Sequence, residues 1–347
     1  MPFPKLKSYL KRIDICMTND PRLNELHHWL QHDQGWKNYQ LEIASADASF
    51  RRYFRLVQEG KSVIVMDAPP DKEDVRPFID VTERLRNAQV QAPAILGQST
   101  TRGFLILDDL GSTPYLDQLN PKNADHLYGD AIHALIRLQQ ADTQNLAEYD
   151  QCLLKQEMQL MPDWFLKKHL KLTLSDPQQA LIEQTLQAIS DAIEEQPKRF
   201  VHRDYHSRNL MITNDHNPGI IDYQDAVVGA ITYDLVSLLR DCYIAWPQTQ
   251  VEKWALNYRD QAVKAGLFPA VDDATFLRWF DLMGLQRHLK VLGIFARLYH
   301  RDGKSGYLND LPLTLDYTLK IGKKHPETQA LIQLFEELKI PEQIGLQ

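Results

Sequence analysis

Hydrophobic positions change their period once along this chain. Over the first third they form short β-branched or aromatic runs: YQLEIASA, YFRLVQ, SVIVMDA, PAILGQ and GFLILDDL. Turn signals such as Glu59-Gly60-Lys61 and Thr100 to Gly103 separate them, so each run reads as a strand. Between the third and fourth lies one helical segment, Arg76 to Asn87. From about Pro114 the apolar residues recur at helical spacing, as in DAIHALIRLQQ, ALIEQTLQAISDAI and YDLVSLLRDCYIAW. The pattern predicts an α+β protein of two lobes, with a small, mostly antiparallel sheet over 17–112 and a larger helical lobe over 113–347. The connector at Gly111 to Thr113 is short, and no repeat or low-complexity tract is present. Met17 opens MTNDPRLNELHHWL, a cap followed by a helix, so residues 1–16 read as a dispensable N-terminal extension.

Composition narrows the function classes. With 347 residues, 44% of them hydrophobic, the chain can build the large core that two lobes need. A net charge of -7 argues against a protein whose main task is gripping nucleic acid, which requires clustered positive charge. Cys16, Cys152 and Cys242 are far apart and suggest neither a disulfide framework nor a cysteine zinc site. No apolar run reaches the roughly 18 residues of a membrane span, and the Lys-rich start lacks a signal peptide's apolar region, so a cytoplasmic location is expected. His28 and His32 share a helix face without a third ligand and read as solvated. Neither GxSxG nor HExxH occurs.

The candidate chemistry sits in FVHRDYHSRNLMI, Phe200 to Ile212. DxxxxN alone is expected about once by chance in a chain of this size, but His202 two positions before Asp204 makes the match far rarer. LMITNDHNPGIID then reads as a hairpin turned at Asn214 to Gly219, ending in Asp222. Phosphoryl transfer needs a carboxylate to orient and deprotonate the acceptor hydroxyl, plus oxygen ligands for magnesium. Asp204 suits the first role and Asn209 with Asp222 the second, while His202 packs to hold the loop. The competing reading is that Asp and Asn are simply favoured in loops and turns. Arg208 is placed to stabilise charge on the transferring group, or is a surface arginine; His206 either lines the acceptor pocket or packs.

The HxDxxxxN loop, the IID strand and the order of the lobes resemble the aminoglycoside phosphotransferase and choline kinase branch of the protein-kinase-like fold. The segments HRDYHSRNLM, IDYQDAVVGAITYDLVSLLRDCY and QRHLKVLGIFARLYHRDGK resemble more closely the bacterial anomeric amino-sugar kinases. That resemblance, over about Leu41 to Tyr317, implies an ATP- and magnesium-dependent kinase acting at C1 of N-acetylmuramate or N-acetylglucosamine in cell-wall recycling. It also implies that Asp234 steadies the catalytic loop, and that LILDDLG is a hinge whose Asp108, Asp109 and Leu110 lie nearest the adenine.

The nucleotide end departs from the protein-kinase pattern. SADASFRRY has no glycine, leaving backbone amides and the hydroxyls of Ser45 and Ser49 to cradle phosphates. Met66 stands where a strand lysine is expected, so Glu83 loses its ion-pair partner and Arg51, Arg52 or Arg55 must supply the cation. Farther on, Arg287, Lys290, Arg297 and Arg301 fall in one arc at about 100° per residue. This is a solvated face or a basic stripe facing an acidic sugar. Two other functions stay open: an aminoglycoside or choline-like kinase, and a nucleotide-binding pseudokinase.

Overall fold

The structure, a computed structural model, describes residues 12–13, 20–45 and 50–344. Ser49 and most of the expected extension lie outside the described residues, as does the side chain of Ser45. The first lobe is a six-stranded antiparallel sheet in the order β1-β2-β3-β4-β6-β5, built from Arg12–Ile13, Gln40–Ser45, Arg52–Gln58, Lys61–Asp67, Phe104–Asp108 and, at the far edge, Ile95–Ser99. Arg12 and Ile13, inside the expected extension, pair with Glu42 and Leu41.

Both faces of the sheet are covered, which is why its strands mix alternation with continuous apolar runs. Helix α1, Pro21–His28, starts at an Asp20 cap whose side chain accepts from the Arg22 and Leu23 amides. Its Leu23 and Leu26 bury against Phe54, Leu56, Val63 and Val65. The alternate strand positions Tyr53, Ile64 and Met66 face the other way, toward Phe78, Val81 and Leu85 of α2, Arg76–Asn87. That second side roofs the cleft between the lobes.

The second lobe runs through α3 (Tyr115–Gln118), α4 (Ala124–Leu138), α5 (Gln151–Met158), a π-helical turn at Met161–His169 and α6 (Asp176–Glu194). Strands β7 (Lys198–Val201) and β10 (Val227–Ala230) then enclose the β8–β9 hairpin (Leu210–Met211, Gly219–Ile220), before α7 (Tyr233–Leu239), α8 (Gln248–Lys264) and α9 (Asp273–Asp302). Helix α9 is the 30-residue axis of the lobe; at Gly293 an added Cβ would sit 2.3 Å from the Leu160 carbonyl carbon, so only glycine permits that approach.

One side of the cleft is fastened. The Ile220 amide donates to Gln91 at 2.8 Å, and the Ile212 amide to Thr113 at 2.8 Å. Thr82 and Tyr223 share a hydroxyl hydrogen bond of 2.8 Å, and Phe78 stacks on Tyr223 at 4.9 Å.

Candidate active site

A cavity of about 340 Å³ opens between the lobes. Tyr53, Arg55 and Ile64 line its roof, Asp108 to Gly111 its hinge edge, and Arg208, Asn209, Met211, Ile221 and Asp222 its floor. The hinge is braced on one side: the Asp108 amide donates to the Ala94 carbonyl at 2.9 Å, and its carboxylate accepts the Ala94 amide at 3.1 Å. All three predicted hinge residues therefore reach the cavity.

The candidate catalytic loop is fixed from behind. Buried Asp234 accepts the His202 amide at 2.7 Å and the Arg203 amide at 3.1 Å, and burial pushes its carboxyl up to about 7. His202 Nδ1 accepts the Asp204 amide at 3.2 Å, which leaves Nε2 to donate to the Ile221 carbonyl at 3.1 Å. This tautomer is neutral, and burial lowers the ring to about 4. His202 is thus a strut between the loop and the strand that ends in Asp222.

Asp204 keeps its carboxylate 45% exposed. Burial raises it, but the charges of Arg287, His206 and Lys290 outweigh that and hold it below its ordinary value. The Asn209 amide nitrogen donates to the Asp204 carbonyl at 3.0 Å and to Asp222 Oδ2 at 3.3 Å. With both donors engaged, its amide oxygen is the atom left to meet a cation. Asp222 adopts a left-handed backbone, φ 64°, at the cavity floor. One neutral and one charged hard oxygen donor, side by side, fit magnesium.

The basic residues divide. Arg52 does not face the cleft: its guanidinium holds Asp67 at 2.6 Å and also pairs with Asp20. Strand alternation puts it on the α1 side, which corrects the expectation that it binds nucleotide. Arg55, one of the three cations considered, lines the cavity and grips Asp109 through Nε at 2.6 Å and Nη2 at 3.0 Å. Arg51 pairs with Glu73 at 3.1 Å. Met66 is fully buried, and Glu83 points to solvent, away from the strand it was expected to serve. Arg208 lines the cavity with its guanidinium 3.5 Å from the Tyr243 ring.

The basic stripe of α9 is also divided. Arg287 Nη2 lies 4.0 Å from Asp204 Oδ1, and Lys290 pairs with Glu157 at 2.8 Å. Arg301, 56% exposed, pairs instead with its neighbour Asp302. Arg297 and Arg301 stand roughly 15 and 21 Å farther along the axis than Arg287, at 1.5 Å per residue, so they do not share its site. The expectation that both face the acceptor is corrected. Within the loop, the His206 ring packs on Tyr243 at 5.6 Å, and burial lowers its basicity. Sequence reasoning passed over Asp241, which accepts the Ser207 amide at 3.0 Å and the Ser207 hydroxyl. Nothing in its RDCY context marks it.

A hinge-edged cleft beneath an antiparallel sheet, floored by Asn209 and Asp222 with Asp204 in the loop leading to Asn209, defines a phosphotransferase of the protein-kinase-like class. The Phosphotransferase enzyme family model matches residues 40–272, and the chain belongs to that family. It is 44% identical over 332 residues to the N-acetylmuramate/N-acetylglucosamine kinase of Pseudomonas putida, covering 92% of this chain and 98% of that one. The kinase of the same name from Neisseria meningitidis serogroup B is 41% identical over 90% of this chain and 95% of its own. This chain is a kinase. Its fold matches an ADP-bound aminoglycoside phosphotransferase with a TM-score of 0.57 at 17% identity, covering 86% of this chain and 98% of that one. It also matches the Plasmodium vivax ethanolamine kinase with a TM-score of 0.62 at 10% identity, covering 92% and 93%. Among the described residues no helix is long and apolar enough to cross a membrane.

Proposed function

We propose that this kinase transfers the γ-phosphoryl group of ATP, with magnesium, to the anomeric C1 hydroxyl of N-acetylmuramate or N-acetylglucosamine, as a step of peptidoglycan recycling in the cytoplasm. The observation that carries the substrate is the 44% identity, over nearly the whole of both chains, to a kinase named for those two sugars.

Asp204 orients the acceptor hydroxyl and accepts its proton, and the neighbouring cations keep it ionised for that task. An anomeric hydroxyl is more acidic than an ordinary alcohol, so a weak carboxylate base suffices. Asn209 and Asp222 would hold magnesium, which neutralises phosphate charge when bound. Arg208 reaches toward the transferring group, and Arg55 with Asp108, Asp109 and Leu110 borders the nucleoside end. Ser45 and Ser49 belong to the turn that would cover the phosphates, with His206 and Arg287 beside the acceptor.

Asp204→Ala should abolish turnover while leaving magnesium-ATP affinity within a few-fold, because the base touches the acceptor. Asp222→Ala should lose magnesium-dependent nucleotide binding as well. ADP release across a panel of sugars, with phosphorus NMR of the product, reads the acceptor and the phosphorylated position. A phosphate on C6, or turnover of an aminoglycoside or choline in place of the sugars, would refute the assignment.

A further inference from the structure

Directly ahead of Asp204, Arg203 has a left-handed backbone, φ 78°, which residues with a side chain seldom adopt. Such a conformation persists only where the surroundings over-determine it. Here four contacts do so. The Arg203 amide donates to Asp234 at 3.1 Å, and its carbonyl accepts Arg287 Nη1 at 3.1 Å. Its guanidinium lies 5.6 Å from the Tyr149 ring, and Nη2 is 2.7 Å from Glu157 Oε1.

Glu157 closes this set from α5. It is only 9% exposed and does not line the cavity. Its second oxygen takes Lys290 Nζ at 2.8 Å and the Tyr149 hydroxyl. Lys290 and Arg287 both reach the Tyr233 hydroxyl, at 3.0 and 3.4 Å. A single buried carboxylate therefore ties α5, α9 and the residue before the base. Apolar packing commonly stabilises such a site as well as buried ions do, so stability alone does not account for the cluster.

We infer that Glu157 is a positioning residue for phosphoryl transfer: by clamping Arg203 it holds the left-handed turn that aims the Asp204 carboxylate at the acceptor hydroxyl. It touches neither nucleotide nor acceptor. The inference rests on Asp204 being the base.

Glu157→Gln keeps the shape and removes the charge. It should lower kcat at least about tenfold while the KM for nucleotide stays within about twofold, since aim is lost and binding is not. Arg203→Gly accepts the same backbone without strain but has no clamp, and should lower kcat comparably. Adding Glu157→Gln to Arg203→Gly should then cost no more than about twofold further, because the clamped group is gone. Losses that multiply in the double variant would overturn the inference. So would a Glu157→Gln enzyme with a lower Tm and unchanged kcat per folded molecule, the mark of a merely structural role. If Glu157→Gln does not fold, Arg203→Gly decides alone, and normal kcat in it overturns the inference. An active Asp204→Ala would instead bring down the base assignment. An inactive Asp204→Ala beside a normal Glu157→Gln would sink Glu157 only.

Discussion

Arg52 and Arg55 differ by three positions in one strand and by everything in their surroundings. Arg55→Ala should weaken nucleotide binding, because it leaves Asp109 without a cation at the cavity edge, held only by the Gly111 amide and Ser62; a charged hydrogen bond of this kind is worth about 1.5–3 kcal/mol. Arg52→Ala should leave nucleotide affinity unchanged and lower stability by about 1–3 kcal/mol, since fully buried Asp67 keeps only Arg22, at 2.8 Å. Calorimetric titration and urea unfolding of both variants check this, and nucleotide affinity lost from the Arg52 variant would count against it. Alternation along RYFRLVQ places these two arginines on opposite faces, but both faces carry apolar residues. Which one roofs the cleft is decided by the packing of α1, and that is not legible in the strand. The loop carrying Asp204 and Asn209 was legible as a candidate site because its groups lie within a few residues of one another. Glu157 and Arg203 were not, being joined across 46 positions by a backbone angle that no sequence pattern announces.

At the scale of elements, β1, β7 and β10 were not expected, whereas strands β2 to β6, α2 and the β8–β9 hairpin fall where the sequence pattern placed them. Local propensity and tertiary packing agree there. Helix α9 is where periodicity misled: the arc of cations is real, but its two ends lie in different environments, buried beside the base and open to water. A helical arc gives angle and says nothing of depth along the axis. The same limit governs its glycine. Gly293→Ala should destabilise by about 1–3 kcal/mol, because the close approach to Leu160 is to backbone, which cannot turn aside, and this outweighs the roughly 1 kcal/mol that alanine gains in a helix. Gly129→Ala in α4, with nothing within 4 Å of the added carbon, should stabilise by about 0.5–1 kcal/mol. Opposite signs in thermal unfolding are expected; two stabilising results would show that the π-helical turn yields.

For the whole molecule, buried ionisable groups set the response to acid. Burial lowers His202 to about 4 and His288 to about 3, so the unfolded chain takes up two protons below about pH 6.5 that the native state refuses. Their contribution to stability is complete above pH 6.5 and is lost as pH falls toward 4. Asp234, raised to about 7, acts in the opposite sense, binding one proton in the native state that the unfolded chain releases above its ordinary 3.8. Two against one, with His27, His169 and His206 lowered by burial in the same sense, leaves stability rising with pH between about 4.5 and 6.5, by roughly 1.4 kcal/mol per unit or more. Urea unfolding across that window measures it. His288→Gln should flatten the slope, and a stability that fell with rising pH would contradict the balance.

The fastened side of the cleft has a mechanical meaning. Bonds from Ile212, Ile220 and Tyr223 make the hinge and α2 the spine of a book, so the lobes open at the end of β3 and β4 away from the hinge, where Arg52 lies opposite Asp67. Asp222 sits two residues from the Ile220 bond, so the cavity floor travels little as the cover lifts. Nucleotide is then expected to enter and leave by that end, with the spacing of Asn209 and Asp222 kept. Amide hydrogen exchange registers this gradient: the Ile212 and Ile220 amides should exchange only with global unfolding, and those at the Arg52 end of β3 through small openings that nucleotide suppresses.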